Sequence, residues 1–400
     1  MIERERIPDD EEKTFKKLFR DGLAMFYDKI IDHRLVFPFN DHYDTGTVVP
    51  LMLGEFFFRD CHFNHEIVIT DIPENYNLTF KNCIFKENLR LENAIIKSNV
   101  RFRDCRFLGE TDFHHTRFEK RADFWKSTFY QNTKFYKTEF LDIADFSAVC
   151  FKENVLFTHA LIHKLLVLRN TNPEKGFDLS TAVLVGDLSI FNFKFDDYTT
   201  YTQIYKDLDN ALTKEDTFSY DEAYTAIYET IIAESYQIPI ENKRETYRII
   251  KHQLENQKNY IDAIPYKVKE SRTHFKESWL QIRYGVHLFN PISNIIVLSL
   301  NGLSNWFGSS YIQGILFTLS VGTIFFHWAL SHIGNFEFTM DYTQWQWDYF
   351  VQFLNPTHRF DYMKAIDAHP RTWFFIWDFI GRIFVGYGIY QTIQAFRKYR

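Results

Sequence analysis

A column of large apolar residues, mostly phenylalanine, recurs every eleven positions through residues 58–190. A second column lies five residues after the first and is interrupted only at Glu74 and Pro173. A fixed short period of this kind is typical of a stacked solenoid, in which each repeat packs on its neighbours. The best-kept stretch contains Phe102, Phe107, Phe113, Phe118, Phe124, Phe129, Phe135, Phe140, Phe146 and Phe151.

The alternating steps of five and six residues do not fit an α-helix, which needs apolar residues at i, i+3, i+4 and i+7. They fit very short strands such as Ala122-Asp123-Phe124, whose first and third residues face inward, with polar residues at the corners. One coil then takes 22 residues. Cys61, Cys83 and Cys105 share this spacing, and we interpret them as small buried residues stacked in one column.

Units such as TDFHHTRFEKR (111–121) and ADFWKSTFYQN (122–132) resemble the pentapeptide-repeat family, whose unit is A(D/N)LXX with a central Leu or Phe. The resemblance covers residues 56–192 and departs from the pattern because every second unit has six residues. It implies a right-handed quadrilateral β-helix with the central apolar residue inside. Six coils would then form a rod of about 29 Å at the usual strand spacing.

We predict a mixed β and α fold: this β-helix, a helical connector and transmembrane helices. A bare solenoid end exposes strand edges, and residues 10–33 show an amphipathic helical pattern that would cap it. The connector, interpreted as a packing element, has predicted helices at 220–235, 241–256 and 260–275. The predicted domains are an N-terminal helical cap (1–50), the β-helix (51–195), the connector (196–285) and a membrane domain (286–400).

Two stretches near the C-terminus have the length of membrane spans. Residues 311–333 are apolar enough to cross a bilayer core of about 30 Å. The second stretch, 372–394, carries Asp378 and Arg382, which are costly in lipid unless they pair or face protein or water. Basic flanks on both sides predict two spans with both termini cytoplasmic. Residues 288–307 are interpreted as an interfacial helix, with a third span as the alternative.

Between the spans, residues 342–355 have an aromatic face and predict a re-entrant or interfacial helix. The arrangement of residues 310–397 resembles the pore domain of two-transmembrane ion channels, although the potassium filter TxGYG is absent. The pore-loop candidates that occupy its place are Asn355, Pro356, Thr357 and His358. Gly381, Gly386 and Gly388 would allow close helix contact or a hinge.

These patterns lead to two hypotheses of different class. The first is an oligomeric, channel-like or pore-forming protein of the cell membrane with a cytoplasmic sensing or assembly domain, in which Asp378 and Arg382 set ion passage or lock subunits together. The second is a membrane-tethered scaffold that conducts nothing and uses the β-helix as a docking surface. The expected partners are the lipid bilayer, further copies of the chain and a cytoplasmic protein.

Other function classes lack support in the sequence. Between residues 55 and 187 there are 18 basic and 19 acidic side chains, so we expect neither nucleic-acid binding nor a DNA-like field. The four cysteines have no CxxC spacing, and His114, His115, His159 and His163 are interpreted as surface residues. No phosphate-binding, metalloprotease or nucleophile motif is present. We therefore predict no enzyme activity, no cofactor and no metal site.

Overall fold

The computed structural model describes residues 5–7, 23–32, 34–37, 54–74, 76–193, 198, 200–214, 220–233, 236–285, 289–334, 346–367 and 369–397. The chain divides into two compact units, Met1–Gln257 and Lys258–Arg400. We call them the solenoid unit and the helical unit.

Short parallel strands of the described residues form four sheets, which are the four sides of a β-solenoid with about six coils between residues 55 and 191. The first sheet contains β1 (Glu5–Ile7), β3 (Lys29–Ile31), β6 (His62–Phe63), β9 (Ile84–Phe85), β13 (Arg106–Phe107), β17 (Thr128–Phe129), β21 (Cys150–Phe151) and β25 (Asn172–Pro173). The second contains β2 (Leu23–Tyr27), β5 (Gly54–Arg59), β8 (Tyr76–Lys81), β12 (Val100–Arg103), β16 (Ala122–Asp123), β20 (Ile143–Asp145), β24 (Leu165–Arg169) and β28 (Asp187–Phe191). The third contains β4 (Leu35–Phe37), β7 (Ile67–Ile69), β10 (Leu89–Arg90), β14 (Thr111–Asp112), β18 (Thr133–Lys134), β22 (Asn154–Leu156) and β26 (Gly176–Asp178). The fourth contains β11 (Ile95–Ile96), β15 (Arg117–Phe118), β19 (Glu139–Phe140), β23 (Leu161–Ile162) and β27 (Val183–Leu184).

The phenylalanine columns fill the interior, and the predicted 22-residue coil is confirmed. Phe102 pairs with Phe80 one coil earlier, and their rings stack with centroids 5.0 Å apart. Phe107, in the neighbouring column, meets Phe102 edge-on at 5.6 Å. All ten predicted ladder phenylalanines are at most 1% exposed. Burying each side chain contributes about 1.5–3 kcal/mol, and well-oriented ring pairs add about 0.5–1.5 kcal/mol.

The five-residue steps close through β-turns whose third residue has a positive φ. The N–H of Ser127 donates to Phe124 O at 3.1 Å, for example, across Lys126 with φ 62°. Asp and Asn tolerate this conformation better than most residues. The two columns of such residues are Asp60, Asn82, Asp104, Lys126, Ala148, Asn170 and Asn192, and Asn93, His115, Lys137 and His159.

The aspartate before several of the phenylalanines has a backbone role. Asp123 is fully buried, and its Oδ1 accepts from the N–H of Trp125 at 3.0 Å. Its Oδ2 accepts from Arg103 Nε at 2.8 Å. Asp145 repeats the first contact with the N–H of Ser147. In the units that carry Asp at this position, the carboxylate satisfies a turn N–H that the sheets leave unpaired.

The cysteine column is buried as predicted. Cys61, Cys83 and Cys105 are each at most 1% exposed, and each thiol points at backbone carbonyl oxygens inside the coil. The neighbouring Cys83 thiol and burial hold the pKa of Cys61 far above its ordinary value. Burial likewise raises the pKa of Cys83, so the thiols of Cys61 and Cys83 remain protonated and unreactive.

The predicted N-terminal helical cap is wrong where the structure describes it. Residues 23–31 form β2 and β3, which pair with β5 and β6. Phe26 stacks on Phe58 at 4.9 Å and so extends the ladder by one coil. Pairing with an open strand edge outweighs the weak local helical preference of this segment. The rest of the predicted cap, residues 1–4, 8–22, 33 and 38–50, lies outside the described residues.

A helix covers the last coil of the solenoid. The solenoid unit continues with α1 (Ile204–Lys214), α2 (Tyr220–Ala233) and α3 (Ile240–Asn256). Asn242 of α3 donates to Asp178 Oδ2 at 2.9 Å, and Thr246 Oγ1 accepts from the N–H of Leu179 at 2.9 Å. Buried residues of α3 thus bond the end of the stack, and α3 acts as its cap.

Tyr228 of α2 supports this cap. Its hydroxyl donates to Asn242 Oδ1 at 3.0 Å. Burial and the nearby Asp178 carboxylate raise the pKa of Tyr228 to about 12. The part of the predicted connector that belongs to the solenoid unit therefore packs on the last coil.

The helical unit contains α4 (Tyr260–Arg283), α5 (Phe289–Asn305), α6 (Tyr311–Leu330), α7 (Trp347–Phe353) and α8 (Thr372–Phe396). The long helices α6 and α8 are antiparallel, because Tyr311 stacks on Phe396 at 4.5 Å and Phe325 on Phe384 at 5.3 Å. Among the described residues, α6 alone combines the length and apolar composition needed to cross a bilayer. The second predicted span, α8, forms a 25-residue helix, but a two-span arrangement is not shown.

Candidate functional site

Asp378, on α8, is the centre of a buried polar cluster in the helical unit. The residue is 0% exposed. Its Oδ1 lies 2.8 Å from His358 Nε2, and its Oδ2 accepts from Arg382 Nε at 2.9 Å. The predicted ion pair and a predicted pore-loop residue therefore meet at one carboxylate.

A tight turn after α7 brings His358 to this carboxylate. Asn355 Oδ1 accepts from the N–H and the hydroxyl of Thr357, at 3.1 and 2.8 Å. The N–H of His358 donates to Asn355 O at 3.0 Å, and Pro356 restricts the backbone between them. Asn355 and Thr357 thus shape the turn, and His358 is the member of the pore-loop set that contacts the ion pair.

Both ring nitrogens of His358 lie against oxygen atoms. Its Nδ1 is 2.7 Å from Asn355 O, and a carbonyl oxygen can only accept, so Nδ1 donates. Its Nε2 faces the Asp378 carboxylate. The Arg382 guanidinium lies 3.9 Å from the centre of the Phe360 ring, a cation–π contact that stabilises its charge.

Tyr362 encloses the cluster on another side. Its ring meets that of His358 edge-on, with centroids 4.5 Å apart. Burial and the Asp378 carboxylate raise the pKa of Tyr362 well above its ordinary value, so its hydroxyl stays neutral. A surface cleft of about 510 Å³ reaches the cluster. The cleft is lined by Gln352, Asn355, Thr357, His358, Arg359, Asp361 and Tyr362.

Two reciprocal glycine–threonine contacts hold α6 against α8. A Cβ on Gly388 would lie 2.3 Å from Thr318 Oγ1, and one on Gly314 would lie 2.5 Å from Thr392 Oγ1. Each threonine hydroxyl donates to a carbonyl of its own helix, at 2.8 and 2.9 Å. The hydroxyls are therefore satisfied without water, and the backbones approach closely.

The predicted close contact of the α8 glycines is confirmed at two of three positions. Gly388 faces Thr318, and a Cβ on Gly381 would lie 2.4 Å from Phe353 Cζ. Gly386 differs, because its nearest neighbour would be Pro356 at 3.8 Å.

An amide cluster joins α5 to the other end of α8. Asn301 Oδ1 accepts from the Tyr387 hydroxyl at 2.9 Å and from Gln391 Nε2 at 3.1 Å. Asn305 is 1% exposed, and its Nδ2 donates to Gln391 O at 3.2 Å. Sequence reasoning did not assign this cluster, nor the roles of Phe360 and Tyr362. The asparagines of residues 288–307 and a glutamine within an apolar helix were the available signal.

The outside of the α6–α8 pair is apolar. In α6, 28% of the apolar stretch is buried, whereas the core helix of a soluble protein is mostly buried. The apolar residues of this pair that are more than one third exposed include Ile312, Ile315, Leu316, Leu319, Ile324, Trp328, Trp373, Phe379, Ile383, Tyr390, Ile393 and Phe396. We call this surface the apolar belt.

The outer faces of the solenoid carry ion pairs that join successive coils. Arg117 Nη1 lies 3.0 Å from Glu139 Oε2, and Lys126 Nζ lies 2.9 Å from Asp104 Oδ2. Exposed apolar side chains such as Leu108, Trp125 and Tyr130 lie among these charges. The surface is therefore of mixed charge with scattered aromatic residues.

One comparison with known proteins gives a match. A protein-family model described as pentapeptide repeats (9 copies) matches residues 80–128 and an overlapping stretch, residues 96–139. The solenoid is thus a pentapeptide-repeat domain, and a domain of this kind supports a role as a protein-interaction scaffold. No curated protein and no solved structure matches the chain significantly.

Proposed function

We propose that the protein is a membrane-anchored scaffold, in which the helical unit sits in a bilayer and the solenoid binds a protein partner. The apolar belt carries this proposal. Large apolar side chains of α6 and α8 face outward, while Asp378, Thr318 and Gln391 face inward and are hydrogen-bonded. That distribution suits lipid, because lipid satisfies no polar group.

The surface of the solenoid supports a protein as the docking partner. Its charges are paired between coils, so it lacks the single-sign field that nucleic acid requires. Rigid aromatic side chains such as Trp125 and Tyr130 are the residue types enriched at protein interfaces.

The second candidate is the channel-like oligomer, which the short helix α7 between two long helices favours. It needs several copies of the chain, since one antiparallel helix pair encloses no aqueous path. Asp378 is bonded to His358 and Arg382 of its own chain, and this supports a structural lock rather than ion passage. The homo-oligomer, the cell-membrane location and the cytoplasmic termini remain predictions.

The first experiment measures membrane attachment. Purified full-length protein is reconstituted with liposomes, and the fraction that resists carbonate extraction is measured. Leu319→Arg places a charge on the apolar belt and costs about 3 kcal/mol in a bilayer, so the resistant fraction should fall. Leu108→Arg is the matched control, because Leu108 is similarly exposed (38% against 43%) on the solenoid. Equal behaviour of both variants would refute the anchor.

The second experiment separates the two candidates. Ion flux is measured in the same liposomes under a potential and a pH gradient. A scaffold gives no flux above that of empty liposomes. Flux above that background in the wild type, lost in Asp378→Asn while the helical unit stays folded, would establish the channel-like alternative.

A further inference from the structure

A pocket of about 260 Å³ opens in the helical unit beside the amide cluster. It lies where α4, the turn after α5 and the last turns of α8 meet. The residues that line it are Lys267, Ser271, Asn301, Asn305, Phe307, Gly308, Tyr390, Gln391 and Gln394. Asn301 and Asn305 each hydrogen-bond Gln391, so the back wall of the pocket is rigid.

The rim of the pocket offers hydrogen-bond donors without a competing anion. Lys267, Ser271 and Gln394 supply an ammonium, a hydroxyl and an amide. No carboxylate is among the lining residues, and within the described part of the chain no acidic side chain forms an ion pair with Lys267. A positive, donor-rich recess of this kind suits a phosphate group.

The turn beside the pocket is strained. Trp306, Phe307 and Gly308 have successive positive φ values of 53°, 57° and 79°. Such values are rare for bulky residues and are held here by other contacts. The N–H of Phe307 donates to Asn301 O at 3.1 Å, and the Asn305 side chain accepts from the N–H of Gly308. This conformation places the Trp306 ring 4.8 Å from the Arg272 guanidinium, which adds a second cation near the pocket.

The pocket lies at one end of the apolar belt. The contact of Tyr311 with Phe396 places the start of α6 and the end of α8 at this same end. Tyr390 and Ile393 are at least half exposed beside the pocket, so an acyl chain leaving it would meet apolar surface. In a bilayer, this level is the headgroup region, where tryptophan, tyrosine and basic residues concentrate.

We infer that this pocket binds the phosphate of an anionic phospholipid headgroup, with Lys267 as its principal cation. The inference rests on the proposed membrane anchor. Lys267 faces the phosphate, Ser271 and Gln394 donate to its oxygens, and the glycerol ester extends towards Tyr390. Inorganic phosphate shares the charged group but lacks the acyl chains that would use the apolar flank.

The test measures lipid retention by the full-length protein in detergent micelles, by native mass spectrometry with added phosphatidylglycerol or phosphatidylcholine. This measurement does not depend on insertion into a bilayer, so it is separable from the extraction experiment. The wild type should retain phosphatidylglycerol preferentially. Lys267→Gln should weaken that retention about fivefold. Lys276→Gln, an exposed lysine of the same helix outside the pocket, should leave it unchanged.

Three outcomes would overturn the inference. The first is equal retention of the two lipids, and the second is an equal effect of both lysine substitutions. The third is displacement of phosphatidylglycerol by millimolar inorganic phosphate, which would assign the pocket to free phosphate. If the extraction experiment fails while lipid selectivity and its loss in Lys267→Gln persist, the anchor is wrong and the lipid site stands.

Discussion

Replacing Asp378 by asparagine keeps the shape of the buried cluster but removes its only anion. The carboxylate bonds both His358 and Arg382, which are 4% and 14% exposed in their side chains. In the variant, the imidazole of His358 can accept from the new amide, whereas Arg382 cannot become neutral. One uncompensated, largely buried guanidinium therefore remains.

The size of the effect follows from that residual charge. Removing one partner of a buried ion pair costs about 3–5 kcal/mol. The Phe360 ring still contacts Arg382, so we expect the lower end, about 3 kcal/mol. Arg382→Gln alone leaves the His358–Asp378 pair and should cost about 1 kcal/mol. The double variant should lose about 2 kcal/mol less than the sum of the two single losses, because no buried charge is stranded.

Thermal unfolding of the full chain in detergent, followed by helical circular dichroism, measures these differences. Asp378→Asn should lower the midpoint of the helical transition by about 10 °C. Asp361→Asn, which removes a solvent-exposed pair with Arg359, should leave it unchanged. Strictly additive losses for the two α8 substitutions would show that the cluster is not an energetic unit. A changed ion flux with unchanged stability would reject the structural role altogether.

Three further outcomes concern the solenoid unit and are read by hydrogen exchange of its peptides in the full chain. Phe124→Ala should lower the opening free energy by about 3–5 kcal/mol because it leaves a cavity in the ladder. Phe124→Leu should lower it by about 1.5 kcal/mol. Equal losses in the two variants would contradict packing of the aromatic ring as the source of the stability. Ala148 has φ 58°, a conformation that asparagine tolerates better than alanine, so Ala148→Asn should raise the opening free energy by about 0.5–1 kcal/mol. Ala182→Asn is the control and should not raise it, because φ is not positive at Ala182. The pKa of Tyr228 is raised from its ordinary value of 10 to about 12 in the folded state, so its contribution to stability is complete below pH 10 and is lost as the pH rises towards 12. Tyr228→Phe should reduce that alkaline loss, and an unchanged pH profile would contradict the assignment.

Features that repeat along the chain could be predicted, and features that depend on distant pairing could not. The column of Phe102 and Phe124 has a constant spacing, so both the coil length and the buried face followed from the sequence. Phe26 lies 32 residues before its partner Phe58. Because 32 is not a multiple of eleven, the eleven-residue period does not reveal the first coil. In residues 10–33 the local pattern of apolar residues predicts a helix, whereas the described part of this segment forms the strands β2 and β3.

The candidate site shows the same division. Asp378 and Arg382 are four residues apart on one helix, and their pairing follows from helical geometry alone. His358 reaches the same carboxylate from another segment, through a turn closed by Asn355. The sequence places all of these residues in the predicted membrane domain. No periodic spacing, however, predicts a contact between a residue in a turn and a helical residue 20 positions later. The contact of Asn242 with Asp178 at the solenoid cap is non-local in the same way.

From β5 onward every strand pairs with the strand 22 residues away, so this part of the solenoid can change length only in whole coils. A duplication or deletion of 22 codons would keep each phenylalanine side chain pointing into the solenoid and would change the length of the solenoid by about 4.8 Å. Any other length would turn aromatic rings towards water on one side of the junction. Evolution can therefore adjust the distance between the two ends of this domain in discrete steps without redesigning its interior.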